Sequence, residues 1–173
     1  MDTSRLFRAV LLASMMFSIV GCDQVTKHIA RTHLAAIQST SLLCGALRIG
    51  LAENTGGFLS LGATLPSVAR TALFLFGAGL GLLFAFWYLV RDSRLPFAAF
   101  IGAALFCSGG LSNLLDRIFR GGLVTDFMVL GVGPVHTGVF NLADVAIMIG
   151  CAVLVAGSWT GLAPRSGTPE RGL

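Results

Sequence analysis

The stretch LPFAAFIGAALFCSGGLSNLL, residues 95–115, runs for 21 residues without a charged side chain and ends at Asp116-Arg117. About 20 apolar residues in an α-helix cross the hydrocarbon core of a bilayer, so this stretch is long enough to span one. Two further uncharged runs, residues 71–90 and 145–164, are 20 residues each, and a fourth, residues 9–22, has 14. The last reaches spanning length only if Asp23 and Lys27 also enter the membrane region. The whole chain follows the same rule: of 173 residues, 55% are hydrophobic and 12% charged, and the mean hydropathy is +0.84. A soluble domain carries about 25% charged residues, so the solvent for most of this chain is lipid.

The remaining uncharged gaps read as loops. Residues 32–47 contain the polar run Gln38-Ser39-Thr40-Ser41, residues 54–69 contain Gly56, Gly57, Gly62 and Pro66, and residues 127–143 contain Gly131, Gly133 and Pro134. Glycine and proline at that density break helices. The expected fold is an all-α membrane protein of one domain, residues 1–163, with four transmembrane helices at about 8–28, 69–90, 95–117 and 140–160. Residues 164–173, rich in Gly, Pro and polar side chains, read as a disordered cytoplasmic tail. The long first loop adds one β signal: Leu47, Ile49 and Leu51 alternate with Arg48 and Gly50, Asn54-Thr55-Gly56-Gly57 supplies turn chemistry, and Phe58-Leu59-Ser60-Leu61 returns as a second strand. Such a small extracytoplasmic hairpin would form a cradle beside the membrane; a plain loop resting on the bilayer fits the same pattern.

The net charge of +4 comes from 12 Lys and Arg against 8 Asp and Glu. Lys27 is the sole lysine and the arginines are scattered, so no basic stripe suggests nucleic acid; the charge reads as membrane-surface bias. Four spans put Arg5, Arg8, Arg91, Arg94, Arg165 and Arg171 on one side and Lys27, Arg31, Arg48, Arg70, Arg117 and Arg120 on the other. That count is a tie, but charge density favours the termini and the Arg91–Arg94 turn as cytoplasmic, because short loops weigh most. Trp87, Tyr88 and Trp159 would form an aromatic belt on that face.

The acids divide unevenly. Asp2, Asp92 and Glu170 flank helices, whereas Asp23, Glu53, Asp116, Asp126 and Asp144 all fall toward the opposite face. Charge at membrane depth costs several kcal/mol unless paired or hydrated, which makes the gathering a candidate site. Spacing strengthens that reading. Asn113, Asp116 and Arg117 share one face of the third span, with Gly109 and Gly110 a turn earlier where another backbone can approach. Asn141 and Asp144 stand three apart at the start of the fourth, and Asp23 and Lys27, four apart, can pair at the end of the first. A structural network of ion pairs would present the same spacing.

Several carboxylates with no nucleophile beside a base suggest two aspartates sharing one proton, one acting as acid and the other as base toward water. The cysteines, Cys22, Cys44, Cys107 and Cys151, lack metal-ligand spacing, so neither a zinc site nor a disulfide framework is expected. A Ser112–Lys27 dyad and a proton-coupled carrier remain as alternatives, although four spans show no inverted repeat. Arg5, Arg8 and the apolar stretch up to Ile19-Val20-Gly21-Cys22 also read as a lipoprotein signal peptide, but three further spans favour an uncleaved first helix.

Five blocks, taken together, resemble the successive motifs of the lipoprotein signal peptidase (signal peptidase II) family. They are Asp23-Gln24-Val25-Thr26-Lys27, Asn54-Thr55-Gly56, Gly109-Gly110 with Asn113-Leu114-Leu115-Asp116-Arg117, Val124-Thr125-Asp126-Phe127, and Phe140-Asn141-Leu142-Ala143-Asp144. Any one block is weak; five in order along nearly the whole chain are highly specific. The resemblance implies an aspartic endopeptidase of the bacterial inner membrane that cuts prolipoproteins before a diacylglyceryl-modified cysteine, with no cofactor.

By that resemblance Asp126 and Asp144 would be the catalytic pair, and Asn113, Arg117 and Asn141 would support it and bind the substrate backbone. Asp23, Lys27, Asn54, Gly56 and Gly109 would hold the first helix and the loop in place, with Asp116 and Ala143 in the same supporting set. The family also implies a periplasmic active face with both termini cytoplasmic, and sensitivity to the cyclic peptide globomycin. Two departures stand out: Ser112 where the family usually has Gly, and Gly57 and Phe58 after the Asn-x-Gly block.

Overall fold

The computed structural model describes residues 3–34, 39–57, 61–92 and 94–162, with side chains to residue 158. The apolar runs form four helices: α1 (Thr3–His33), α2 (Ser67–Arg91), α3 (Phe97–Phe119) and α4 (Leu142–Leu162). The first three are long and apolar enough to cross a membrane, and α4 is apolar over Leu142–Ser158. Pro66 and Pro96 stand immediately before α2 and α3, where the fixed φ of proline suits the entry to a helix. At the other end of α3, Gly121 and Gly122 adopt φ of +63° and +93°, a left-handed conformation that stops the helix and that only glycine takes without strain. Within α2, residues Ala72–Gly77 are wound as a π-helix.

The helices pack through small residues. A Cβ on Gly150 would lie 2.6 Å from the carbonyl oxygen of Gly102, and one on Gly109 would lie 2.3 Å from that of Ala143, so α3 and α4 are in backbone contact. Gly110, next in sequence, faces α2 instead, against Leu82. Leu12, Leu82, Leu89, Phe100, Ala104 and Cys107 form the buried core where α1, α2 and α3 meet. Arg8 of α1 holds the α2–α3 turn by donating to the carbonyl oxygens of Asp92 and Leu95. Large apolar side chains such as Phe17, Leu80, Leu83 and Phe84 point outward, which suits lipid rather than water.

Both loops on the other side of the bundle contribute to one antiparallel sheet, ordered β1 (Thr40–Leu42), β2 (Leu47–Asn54), β3 (Val124–Val132) and β4 (Val135–His136). This corrects three expectations. The hairpin in the first loop is β1–β2, built from part of the Gln38–Ser41 run expected as loop; Gln38 itself lies outside the described residues. Of the expected return strand over Phe58–Leu61, Leu61 sits in a turn, and Phe58, Leu59 and Ser60 lie outside the described residues. The second partner of β2 is β3, from the segment read as loop for its Gly131, Gly133 and Pro134; two of these only close the turn to β4, and Val124–Leu130 ahead of that turn pairs with β2.

A bulge between Ile49 and Ala52 shifts the register, so Ala52 faces Asp126 and Asn54 faces Val124. The shift turns Leu51 to the outside, breaking the alternation that predicted it inward, and brings the Asn54 side-chain amide within reach of Asp126. The side chain of Trp159 and the tail at residues 164–173 lie outside the described residues.

Candidate functional site

The stretch of α1 around Asp23–Lys27, the last turns of α3 and the first turn of α4 meet β2 and β3 at one level, and the polar side chains there fall into two groups. The upper group centres on Asp126 of β3 and Asp144 in the first turn of α4, both buried. Asp126 accepts from the side-chain amides of Asn54 at 2.9 Å and Asn141 at 2.7 Å. Asp144 accepts from the Asn113 amide at 3.0 Å and the backbone N–H of Asn141 at 3.1 Å. Asn141 Oδ1 in turn accepts from the backbone N–H of Asp144 at 2.9 Å, so Asn141 and Asp144 form a reciprocal capping box at the start of α4. Among the described residues, every hydrogen-bond donor to either carboxylate is a neutral amide.

The lower group is an ion-pair cluster. Lys27, fully buried, directs its ammonium to Asp23 at 2.7 Å, Asp116 at 3.1 Å and Asn113 Oδ1 at 2.8 Å. Asp23 also accepts from Ser112 Oγ at 2.7 Å and from the backbone N–H of Ala143 at 2.8 Å. Asp116 accepts from Gln24 Nε2 and from the backbone N–H of Thr125. A buried cation with two carboxylates and a full set of donors is the arrangement that makes buried charge tolerable. The reading of the acids as structural ion pairs therefore fits Asp23 and Asp116, which touch neither Asp126 nor Asp144, and does not fit the upper pair. Asn113 joins the two groups, accepting from Lys27 and donating to Asp144.

These surroundings set the acidity of Asp126. Burial pushes its carboxyl up from the ordinary 3.8 to about 6; the Asn54 amide opposes this, the charge of Asp144 adds to it, and the Asn141 amide and Lys27 oppose it. A carboxyl that gains and loses its proton near neutral pH, held beside a second carboxylate, can serve as one half of an acid–base pair.

The other expected residues lie around this pair. Arg117 donates to the carbonyl oxygens of Asn113 at 3.1 Å and Gly56 at 2.6 Å. Gly56 N–H closes an Asx turn on Asn54 Oδ1, fixing the amide that reaches Asp126. Gly109 lets α4 approach at Ala143. Glu53, grouped with the excess acids, instead pairs with Arg120 at the surface. Ser112 and Lys27 do not form a nucleophile–base dyad, since Ser112 donates to Asp23 and Lys27 donates to three other acceptors.

Three further participants, Gln24, Thr125 and Phe74, were not singled out as site residues from the sequence, and Ser112 was singled out only as a departure and in a dyad with Lys27. The Ser112 hydroxyl donates to Asp23 and accepts from Gln24. Thr125 accepts from both Arg31 and Arg120 through its hydroxyl. The ring of Phe74 lies 5.3 Å below the Arg117 guanidinium, and a Cβ on Gly57 would come within 3.0 Å of that ring, which accounts for glycine there. Gln24 and Thr125 stand inside quoted motifs and so had a signal; Phe74 lies in an apolar run and had none.

A family model described as Signal peptidase (SPase) II matches residues 15–160. The lipoprotein signal peptidase of Desulforapulum autotrophicum is 34% identical over 155 residues, covering 90% of this chain and 93% of that protein. The protein of the same name from Syntrophus aciditrophicus is 35% identical over 137 residues, covering 77% and 82%. A bacterial membrane enzyme solved by the in meso method at 2.3 Å is similar in fold, with a TM-score of 0.78 over 91% of this chain and 93% of its own, at 21% identity.

Proposed function

Because the chain belongs to the signal peptidase II family, we propose that it removes the signal peptide from prolipoproteins by cutting before a diacylglyceryl-modified cysteine, with Asp126 and Asp144 as the catalytic pair. One observation carries the assignment: two buried carboxylates are tied to the same residue, Asn141, and receive only neutral amides, while the buried cation nearby is taken up by Asp23 and Asp116.

In this mechanism the ionised aspartate takes a proton from water as its oxygen attacks the scissile carbonyl carbon, and the protonated one gives its proton to the carbonyl oxygen. Collapse of the tetrahedral intermediate breaks the C–N bond and returns a proton to the leaving amine. Asn113, Asn141 and Arg117 hold the pair and the substrate backbone. Asp23, Lys27, Asp116, Asn54, Gly56, Gly109 and Ala143 keep α1, α4 and the first loop in place. No cofactor enters the reaction.

The reading extends to topology. One domain, residues 1–163, crosses the bacterial inner membrane four times, with both termini and the tail cytoplasmic and the site periplasmic. The density of Arg at the termini and at the α2–α3 turn supports this, as does the convergence of the acids at the opposite end of the helices. Globomycin would compete with the lipidated substrate at the same site.

The test is processing of a diacylated prolipoprotein by Asp126→Asn and Asp144→Asn variants. Each is expected to lose cleavage by a factor of roughly 10³ or more, since neither half of the pair works alone. Near wild-type cleavage by either correctly inserted variant would end the assignment. The rate of the wild type against pH should be bell-shaped, with two apparent pKa values that belong to the pair.

A further inference from the structure

A cavity of about 410 Å³ opens between the first turns of α2 and the last turn of α3. From α2, Ser67, Arg70, Phe74 and Leu75 line it as one stripe at helical spacing; from α3, Arg117 and Ile118 close it. No acidic side chain is among the residues that line it. Arg70 donates to the carbonyl oxygen of Ala63 and has no ion-pair partner among the described residues. Arg117 Nε is the one buried side-chain nitrogen or oxygen among the described residues that lacks a hydrogen-bond partner.

These features describe a cavity short of oxygen acceptors. A buried N–H without a partner is costly, and two guanidiniums on a wall without a carboxylate attract an oxyanion, which they match in geometry as well as charge. Apart from Thr55, Ser67 and Thr71, the rest of the wall is apolar or glycine: Phe74 and Leu75 lie further into α2 than Arg70, and Ile118 follows Arg117 near the end of α3, both helices being long and apolar enough to cross a membrane. The cavity lies at the ends of those helices, where lipid headgroups meet the hydrocarbon. An oxyanion site with an apolar wall beneath it fits a molecule with an anionic head and an acyl tail.

We propose that this cavity binds an anionic phospholipid, with its phosphodiester on Arg70 and Arg117 and an acyl chain against Phe74 and Leu75. Inorganic phosphate carries the same oxyanion without the tail. The proposal shares Arg117 with the proteolytic reading, so it is tested at Arg70 and read as lipid retention and not as peptide release.

The test is native mass spectrometry of the purified full chain in neutral detergent with equimolar phosphatidylglycerol and phosphatidylcholine. Wild type is expected to retain phosphatidylglycerol over phosphatidylcholine by about tenfold, because both carry the phosphodiester but only phosphatidylcholine adds a choline cation that the two arginines repel. Arg70→Gln is expected to retain the two lipids about equally, while Arg70→Lys and the exposed Arg48→Gln keep the preference. Equal retention by wild type, or an unchanged preference in Arg70→Gln, would overturn the proposal. Release of phosphatidylglycerol by millimolar inorganic phosphate would overturn it too, by identifying a free-anion site.

Discussion

Asn141 and Asp126 are joined by a 2.7 Å hydrogen bond from side-chain amide to carboxylate, and the backbone N–H of the same asparagine reaches Asp144 at 3.1 Å. One residue thereby sets the position of both carboxylates, one through its side chain and the other through the capping box of α4. The two roles can be separated. Asn141→Ser keeps a capping oxygen but is too short to reach Asp126, so stability should stay near wild type while prolipoprotein cleavage falls roughly 10- to 100-fold, the loss of one hydrogen bond to a charged group. Thermal unfolding and cleavage measured on the same preparation check this; full activity in Asn141→Ser would show that the contact to Asp126 is dispensable.

The raised pKa of Asp126 has a consequence for stability. Its carboxyl titrates at about 6 in the folded chain and at 3.8 when unperturbed. Between those values the folded state holds a proton that the unfolded state has released, so stability is greatest in acid and falls as pH rises through this window. The full loss is about 3 kcal/mol. Asp126→Asn removes the titration: it should unfold with wild type near pH 4 and be the more stable of the two by about that amount at pH 8. Unfolding in detergent across this range is the measurement, and a difference independent of pH would contradict it.

How much of this was legible in the sequence follows from what lipid excludes. Charge is removed from the spans, so the helices appear as uncharged runs, and the acids retained near their ends stand out for the same reason. The Asn141-x-x-Asp144 capping box and the Asp23–Lys27 pair are local contacts at helical spacing and can be read directly. Pairing between distant segments cannot. Val124–Val132 has the β-branched content of a strand, but only its register against β2, with the bulge at Ile49–Ala52, brings Asn54 onto Asp126. Nor does local spacing distinguish Asp23 from Asp144, since each stands three or four residues from a polar partner, Lys27 or Asn141. The reach of Lys27 across to Asp116 divides the acids, and that contact joins α1 to α3 rather than neighbours one turn apart on a helix.

Lys27 is buried between two carboxylates, so its removal should be felt in stability before activity. Lys27→Met leaves Asp23 and Asp116 without their cation and should cost about 3–5 kcal/mol. Making the cluster neutral throughout, with Asp23→Asn, Lys27→Met and Asp116→Asn together, removes the uncompensated charge and should recover much of that loss. Unfolding midpoints of the single and triple variants test the point. A single variant within about 1 kcal/mol of wild type would mean that the cluster is hydrated rather than sealed.

Gly109 sets how closely α3 and α4 approach, and with it the place of Asp144. An added Cβ would stand 2.3 Å from the Ala143 carbonyl oxygen and 2.9 Å from Ile147 Cγ1, and the first of these is backbone that cannot rotate aside. Gly109→Ala must therefore push the start of α4 away from α3. That displacement lengthens the 3.0 Å bond from Asn113 to Asp144 and the 2.8 Å bond from Ala143 N–H to Asp23. Overpacking of this kind costs about 1–3 kcal/mol, and cleavage should fall further than stability because the carboxylate pair moves with the helix. Gly81 of α2 is the control: nothing lies within 4 Å of its added Cβ, so Gly81→Ala should leave cleavage unchanged and stabilise α2 by up to about 1 kcal/mol. Equal behaviour of the two alanine variants would show that close approach at Gly109 does not hold the site together.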